Sequence, residues 1–443
     1  MTAVAAYAVG VAVLVVGLAV SIALHEVGHL LPAKRFGVRV TQYMVGFGPT
    51  LWSRRRGETE YGVKAVPLGG YVRMVGMFAP AADGTARSGS TGAFQSLAED
   101  ARRAAAEEVR PGEEHRAFYR LPVRQRLVVM LGGPVMNLAL ATLFLGVLLS
   151  GIGVQSLTPR VAAVSRCALP AAEAGRACAP GDPAAPAAQA GVRPGDVIVA
   201  VDGVPAEGDW ARVQEAIRAS AGRTVPVVVE RDGQQLALDV DVLATEGVRV
   251  DEDGAPVTTA DGQPVTEQVG FLGVTATRER VRRPLTELPG EVARATWATA
   301  RIVLALPQRM VDVAQAAFGS EERDPNGPIG LVGVGRLSGE IASTDLLDST
   351  TERVSLMLGV LSSLNLALFV FNLVPLLPLD GGHVAGALWE GGRRQVARLR
   401  GRPDPGPFDL ARLLPVTYVV TALLVGMSVL LLYADIVRPV TLG

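Results

Sequence analysis

His25-Glu26-Val27-Gly28-His29 follows directly on Val4–Leu24, a stretch without a charged side chain. A run of that length is enough to cross a hydrocarbon core, which takes about 20 apolar residues as a helix. On a helix, positions i and i+4 lie one turn apart on one face. His25 and His29 therefore converge on a single metal ion, and Glu26 stands beside a water held there. The expected metal is Zn2+, which acidifies water and polarises a carbonyl while Glu26 handles the proton. Ionisable groups at membrane depth are costly and mark functional sites. A cleaved signal peptide is not expected, because the run lacks a basic stretch before it and a small-residue cleavage site after it.

Outward from this motif, three more stretches are apolar enough to span: a segment within Leu127–Pro159, Val354–Leu379 and Leu413–Ala434. The 443 residues are 49% hydrophobic and 19% charged, with a mean hydropathy of +0.31, against roughly 25% charged in soluble proteins. This argues against an ordinary soluble enzyme. A net charge of −1 offers no field for nucleic acid, and no such partner is expected. Lys34, Arg35, Arg39, Arg54, Arg55, Arg56, Arg116, Arg120, Arg124 and Arg126 flank the first two spans, and Arg393 to Arg412 separate the last two. Basic residues beside spans stay cytoplasmic. Both segments are therefore assigned inside, and the N-terminus, residues 155–350 and the C-terminal tail outside.

Between the first two spans, Gly46-Phe47-Gly48-Pro49 and Pro67–Met74 punctuate a stretch holding Val38, Val40, Tyr43, Val45, Tyr61 and Val63. The spacing predicts hairpins returning to the membrane surface. Residues 80–114, rich in Ala, Gly, Ser, Glu and Arg, suit a mobile surface loop with a helix at 95–108. In the outer region, Ala187–Gly203 reads AAQAGVRPGDVIVAVDG. With a helix expected at 210–221 and strands at Val225–Arg231 and Leu236–Val242, it predicts a compact α+β module. The pattern resembles a PDZ domain of the bacterial, circularly permuted type. Gly191, Gly195 and Asp196 match that family's turn, and Phe271, Leu272 and Gly273 suit the strand lining its groove. The resemblance implies capture of a peptide by strand addition, or a steric plug. Cys167 and Cys178 are expected to form one local bridge in an oxidising compartment. Val292, Trp297, Ile302, Val303, Leu306 and Met310, spaced along 286–320, predict an amphipathic helix lying along the outer membrane surface or packed on the module.

A catalytic zinc takes three protein ligands and keeps one position for water. The third is expected from Asp380, in Asn372-Leu373-Val374-Pro375-Leu376-Leu377-Pro378-Leu379-Asp380-Gly381-Gly382-His383. This carboxylate sits at the cytoplasmic end of a charge-free span, at the depth of His25. Pro375 and Pro378 break the helix there. Asn372 has two readings, a hydrogen bond to a substrate backbone or glue between helices.

Together these motifs resemble the site-2 protease family of intramembrane zinc metalloproteases, in its bacterial PDZ-containing branch of the regulator of sigma-E protease type and its actinobacterial relatives. The resemblance covers most of the chain, including Gly132-Gly133-Pro134-Val135-Met136-Asn137 at the second span. It implies that His25, His29 and Asp380 bind Zn2+ and that Glu26 activates water. It further implies that Asn372, with Gly69, Gly70 and Tyr71 of the hairpin region, holds substrate as an extended strand. The implied substrates are single-span membrane proteins such as pre-cleaved anti-sigma factors and signal-peptide remnants. Another membrane zincin would need a downstream glutamate ligand, and a catalytically silent scaffold would not need the intact motif. The expected fold is a polytopic α-helical membrane protein of the bacterial cell membrane, with four transmembrane helices, a membrane-associated cytoplasmic β region and an extracytoplasmic α+β PDZ domain. Its expected parts are helix one at 1–32, the hairpin region and loop at 33–126, helix two at 127–155 and the PDZ domain with its lead-in at 156–285. There follow an amphipathic linker at 286–350, helix three at 351–383, a cytoplasmic loop at 384–411 and helix four at 412–436.

Overall fold

The structure, a computed structural model, describes residues 2–77, 109–169, 176–249, 257, 259, 263–319, 323, 324, 327–344, 347 and 349–440. The helix expected at 95–108 lies outside the described residues. The chain divides into two compact units, Met1–Ile152 with Arg283–Gly443, and Gly153–Arg282.

Among its described residues the first unit holds four helices long and apolar enough to cross a membrane: Ala3–Arg35, Val123–Ile152, Thr350–Asn372 and Leu410–Val437. Helix α1 (Ala3–Arg35) opens on Thr2, whose hydroxyl accepts from the Ala5 amide. At 1.5 Å per residue it runs to about 50 Å, longer than the ~30 Å of hydrocarbon it would cross. The surplus carries the chain on to the β region.

There β1 (Val40–Arg56) and β2 (Thr59–Met74) form one sheet, antiparallel where 40–45 meets 70–74 and where 50–56 meets 59–64. Residues 40–45 pair on one side with 70–74 and on the other with 60–63, while 50–56 pair with 59–64. The hairpin is thus folded on itself, and strand 70–74 is an edge. Val38, Val40 and Met74 pack with Leu30 and Ala33 of α1 and with Val129 and Met130 of α2 (Val123–Gly146). That core fixes the sheet beneath the end of α1.

The first unit also contains α4 (Leu288–Leu304), α5 (Leu306–Phe318), α6 (Leu331–Ser343), α7 (Thr350–Asn372), α8 (Asp380–Leu399) and α9 (Leu414–Val437). The single amphipathic helix expected at 286–320 is two helices, broken at Ala305. Pro307 has no amide hydrogen and disfavours helical geometry in the residue before it. Val313 and Ala317 of α5 pack on Ala434 of α9, a partner that neither expectation included. Helix three is also shorter than the expected 351–383, since α7 stops at Asn372 ahead of Pro375. Most of the expected loop at 384–411 belongs to α8.

Polar contacts tie the helices to one another. Ser362 of α7 donates to the Ala141 carbonyl of α2 (3.1 Å), and Asn365 donates to Ser21 of α1 (3.0 Å). Asp435 of α9 accepts from Arg323 (2.8 Å) and from the Gly333 amide of α6 (2.7 Å).

The second unit contains β3 (Val154–Val164), β4 (Val197–Val201), α3 (Trp210–Ala219), β5 (Thr224–Arg231), β6 (Gln234–Asp241), β7 (Leu243–Val248), β8 (Thr266–Phe271) and β9 (Val274–Val281). Its main sheet has the order β9-β3-β4-β5-β6 and is antiparallel at each pairing, while β7 and β8 form a separate ribbon. Asp232 and Gly233, both at positive φ, make the two-residue β5–β6 turn that a right-twisted hairpin prefers. Alternation places Val225, Val227, Val229 and Val240 in one core with Ile198, Val213 and Ile217.

Gly191 (φ +78°) and Gly195 (φ +95°) take left-handed backbone that suits glycine. Between them and β4, buried Asp196 accepts from Arg231 Nε and Nη2 (both 2.8 Å) and from the Arg193 amide. Phe271 ends β8, the Leu272 carbonyl accepts from Ala187, and that of Gly273 accepts from Ser165. Cys167 and Cys178 form a disulfide, with Cα atoms 5.9 Å apart.

Candidate metal centre

His25 and His29 lie one turn apart on the final third of α1, ring centroids 4.8 Å apart and nearly perpendicular. Their Nε2 atoms are 3.2 Å from each other. Asp380 Oδ2 is 3.4 Å from Nε2 of His25 and 3.2 Å from Nε2 of His29. Among the described residues, these three side chains are the group able to hold a metal ion.

Helix α2 backs the histidine pair. A side chain on Gly28 would collide with the Gly132 carbonyl, and one on Gly133 with the imidazole of His29. Glycines at these positions let the two backbones touch where the motif sits. His29 Nδ1 lies 2.8 Å from the Val129 carbonyl, and His25 Nδ1 lies 3.0 Å from Asn137 Nδ2. A carbonyl only accepts, so the proton of His29 resides on Nδ1 and Nε2 presents its lone pair.

Asp380 reaches the pair from another direction. After α7 ends, residues 373–379 form a non-helical stretch containing a cis Leu377-Pro378 bond, and Asp380 opens α8. The positive end of the helix dipole favours a carboxylate in that first turn. Ten residues on along the same helix, Glu390 is fully buried. It pairs with Arg126 of α2, with Arg394 (3.0 Å) and with the Phe408 amide (2.8 Å). This connection seats α8 against α2, the helix that also carries Val129 and Asn137. His383, one turn after Asp380, is half-buried, and desolvation pushes its imidazole down to about 4.

The donors suit zinc. A tetrahedron with bonds of about 2.0–2.1 Å has edges of about 3.3–3.4 Å, and the three donor atoms stand 3.2 to 3.4 Å apart. Asp380 Oδ2 is moreover buried without a hydrogen-bond partner, as a carboxylate oxygen set aside for a cation would be.

Glu26 is 8% exposed. Gly70 on the edge strand lies flush against it, and a side chain there would meet Glu26 Cγ. Gly69 adjoins it under the Phe47 ring, which stacks on Tyr71 at 6.3 Å. The hairpin glycines and Glu26 are thus neighbours. Asn372 is the last residue of α7, half-buried and hydrogen-bonded by its side chain to none of the described residues. Sequence reasoning gave Asn137 and Glu390 no role at the site. Asn137 closes the stretch Gly132-Gly133-Pro134-Val135-Met136-Asn137, and its position eight residues after Val129, about two turns of helix, is the signal the sequence holds.

The family model for peptidase family M50 matches residues 13–402. Zinc metalloprotease Rip1 of Mycobacterium tuberculosis (strain ATCC 25618 / H37Rv) is 36% identical over 447 aligned residues, covering 98% of this chain and 99% of that protein. Zinc metalloprotease Rip1 of Mycolicibacterium smegmatis is 32% identical over 457 residues, with 98% and 99% covered. The match and the similarity run through both units and take in the histidine pair and Asp380. The chain therefore belongs to peptidase family M50, the site-2 protease family, and is a zinc metalloprotease.

Proposed function

We propose that the protein is an intramembrane endopeptidase that cuts within the transmembrane segments of single-span membrane proteins, such as pre-cleaved anti-sigma factors or signal-peptide remnants. One observation carries the reading: three donor atoms stand 3.2 to 3.4 Å apart, two of them on a helix long and apolar enough to cross a membrane, just past its charge-free run. His25, His29 and Asp380 hold the zinc. Zinc bound there supplies Lewis acidity, polarising the scissile carbonyl and lowering the pKa of a water to about 7. Glu26 accepts a proton from the attacking water and delivers it to the leaving amide nitrogen, so that one water is consumed per bond cleaved.

A helical substrate hides its amides in its own hydrogen bonds and must unwind before hydrolysis. Among the described residues strand 70–74 has one neighbour in its sheet, and an unwound segment can join it as an added strand beside Glu26. Asn372, with its amide uncommitted, holds the far side of that strand. The positive-inside distribution puts the metal in the cytoplasmic leaflet of a bacterial membrane and the second unit outside. The antiparallel order of that unit and its Gly191-to-Asp196 turn support a PDZ domain that meets substrates before they reach the site.

The test uses wild type and Glu26→Gln, purified in mild detergent and incubated with tagged single-span peptides with and without a zinc chelator. Cleavage inside the span that requires both Glu26 and zinc is expected. Cleavage confined to residues outside the span would overturn the intramembrane reading.

A further inference from the structure

Asn137 is fully buried, and its Oδ1 atom has no hydrogen-bond partner. A buried amide oxygen left without a donor costs roughly 1–3 kcal/mol, so such atoms rarely persist without cause. Its other terminal atom, Nδ2, faces His25 Nδ1 at 3.0 Å. In that arrangement the amide donates, Nδ1 is bare, and the imidazole proton sits on Nε2. That is the nitrogen which points at His29 Nε2 and Asp380 Oδ2.

For His25 to offer Nε2 to a cation, the proton must reside on Nδ1 and the group facing it must accept. Half a turn of the Asn137 amide exchanges Nδ2 for Oδ1. The same rotation gives the buried oxygen a donor. His29 already has this arrangement, its Nδ1 facing the Val129 carbonyl at 2.8 Å. Val129 and Asn137 project from α2 two turns apart toward the two histidines of α1, so both acceptors belong to the helix whose glycines bring it against the motif.

We infer that Asn137 is a positioning residue for the metal: its side-chain carbonyl accepts the Nδ1 proton of His25 and thereby fixes the tautomer and ring direction that present Nε2 to zinc. The inference rests on the proposed role of His25 as a ligand. Acceptors behind metal-binding imidazoles fix the tautomer and raise ligand basicity, and losing one costs about 10–100-fold in metal affinity.

The experiment measures zinc affinity by chelator competition in the full-length protein, in mild detergent, for wild type, His25→Ala, Asn137→Leu and Asn137→Asp. Thermal unfolding of the metal-free forms is followed in parallel. Leu matches Asn in size but cannot accept, whereas Asp accepts. Asn137→Leu is expected to weaken zinc binding about 10–100-fold with Asn137→Asp close to wild type. Wild-type affinity in Asn137→Leu, or equal losses in Leu and Asp, would overturn the inference while a zinc-deficient His25→Ala left the ligand assignment standing. Full zinc binding by His25→Ala would overturn both. Should Asn137→Leu not fold, nitrogen NMR of histidine-labelled, metal-free wild type decides the matter. A proton on His25 Nδ1 supports the inference, and a bare Nδ1 overturns it.

Discussion

The two units bury opposite things. In the second, valines fill the interior and polar groups lie outside, apart from such exceptions as the pair of Asp196 and Arg231. In the first, Ser21, Asn137, Ser338, Ser362, Asn365, Glu390 and Asp435 are each at most 1% exposed, while Val16, Leu143 and Leu423 are 57–62% exposed. Lipid is as apolar as leucine, so helices in it gain little by hiding side chains from one another. They cohere through close backbone approach and interhelical hydrogen bonds. In such an interior, polarity alone does not single out the chemistry, because the ties between helices are made of the same residues as the site. The donor triad is set apart by having three electron-pair atoms aimed at one point.

The largest effect expected is at that point. Asp380→Ala should deplete zinc and abolish cleavage, and full metal content in the variant, measured by mass spectrometry, would require another third ligand. Arg126→Ala leaves the buried Glu390 with Arg394 as its remaining cation, so the cost should approach, without exceeding, the about 3–5 kcal/mol of breaking a buried ion pair. Thermal unfolding in detergent should register this together with weaker zinc binding, since α8 carries both Glu390 and Asp380. An unchanged melting temperature would deny the pair its role in seating that helix.

Arg231→Ala in the second unit should cost less, because Arg231 itself stays partly open to solvent while it bonds Asp196. The same pair gives a pH dependence. Hydrogen bonds from Arg231 hold the Asp196 carboxyl below its usual range against the opposing effect of burial. The stability it contributes is complete above the ordinary carboxylate value near pH 4 and drains away as pH falls through the lowered one. Amide exchange of 197–201 and 224–241 should quicken over that interval in wild type and change less in Asp196→Asn; equal acid sensitivity in both would remove Asp196 from the account. Ser362→Ala, cutting one bond between α7 and α2, should be smallest, near 0.6 kcal/mol. A cost several times larger would mean that single hydrogen bonds dominate cohesion.

Much of this was legible in the sequence because it is local. The one-turn spacing within HEVGH, the glycines ahead of Asp196 and the charge-free runs need only neighbours in the chain. Asp380 required one global argument, that two charge-free runs end at the same membrane depth. The break at Ala305 was available from Pro307, but the apolar periodicity on either side concealed it. Glu390 was not legible, because its meaning lies in Arg126, 264 positions away. Asn137 was hidden for the same reason, since an asparagine in an apolar helix has many uses until its neighbour is known.

The division of the donor triad also has a consequence in time. His25 and His29 leave the ribosome early, whereas Asp380 emerges only after 355 further residues counted from His25. At about 5–20 residues per second, the interval is on the order of 20–70 s. On the proposed ligand set, the nascent chain through that period holds its two histidines but cannot complete a coordination sphere. A ribosome that stalls or a message that ends early therefore yields an inert fragment, not an unregulated peptidase.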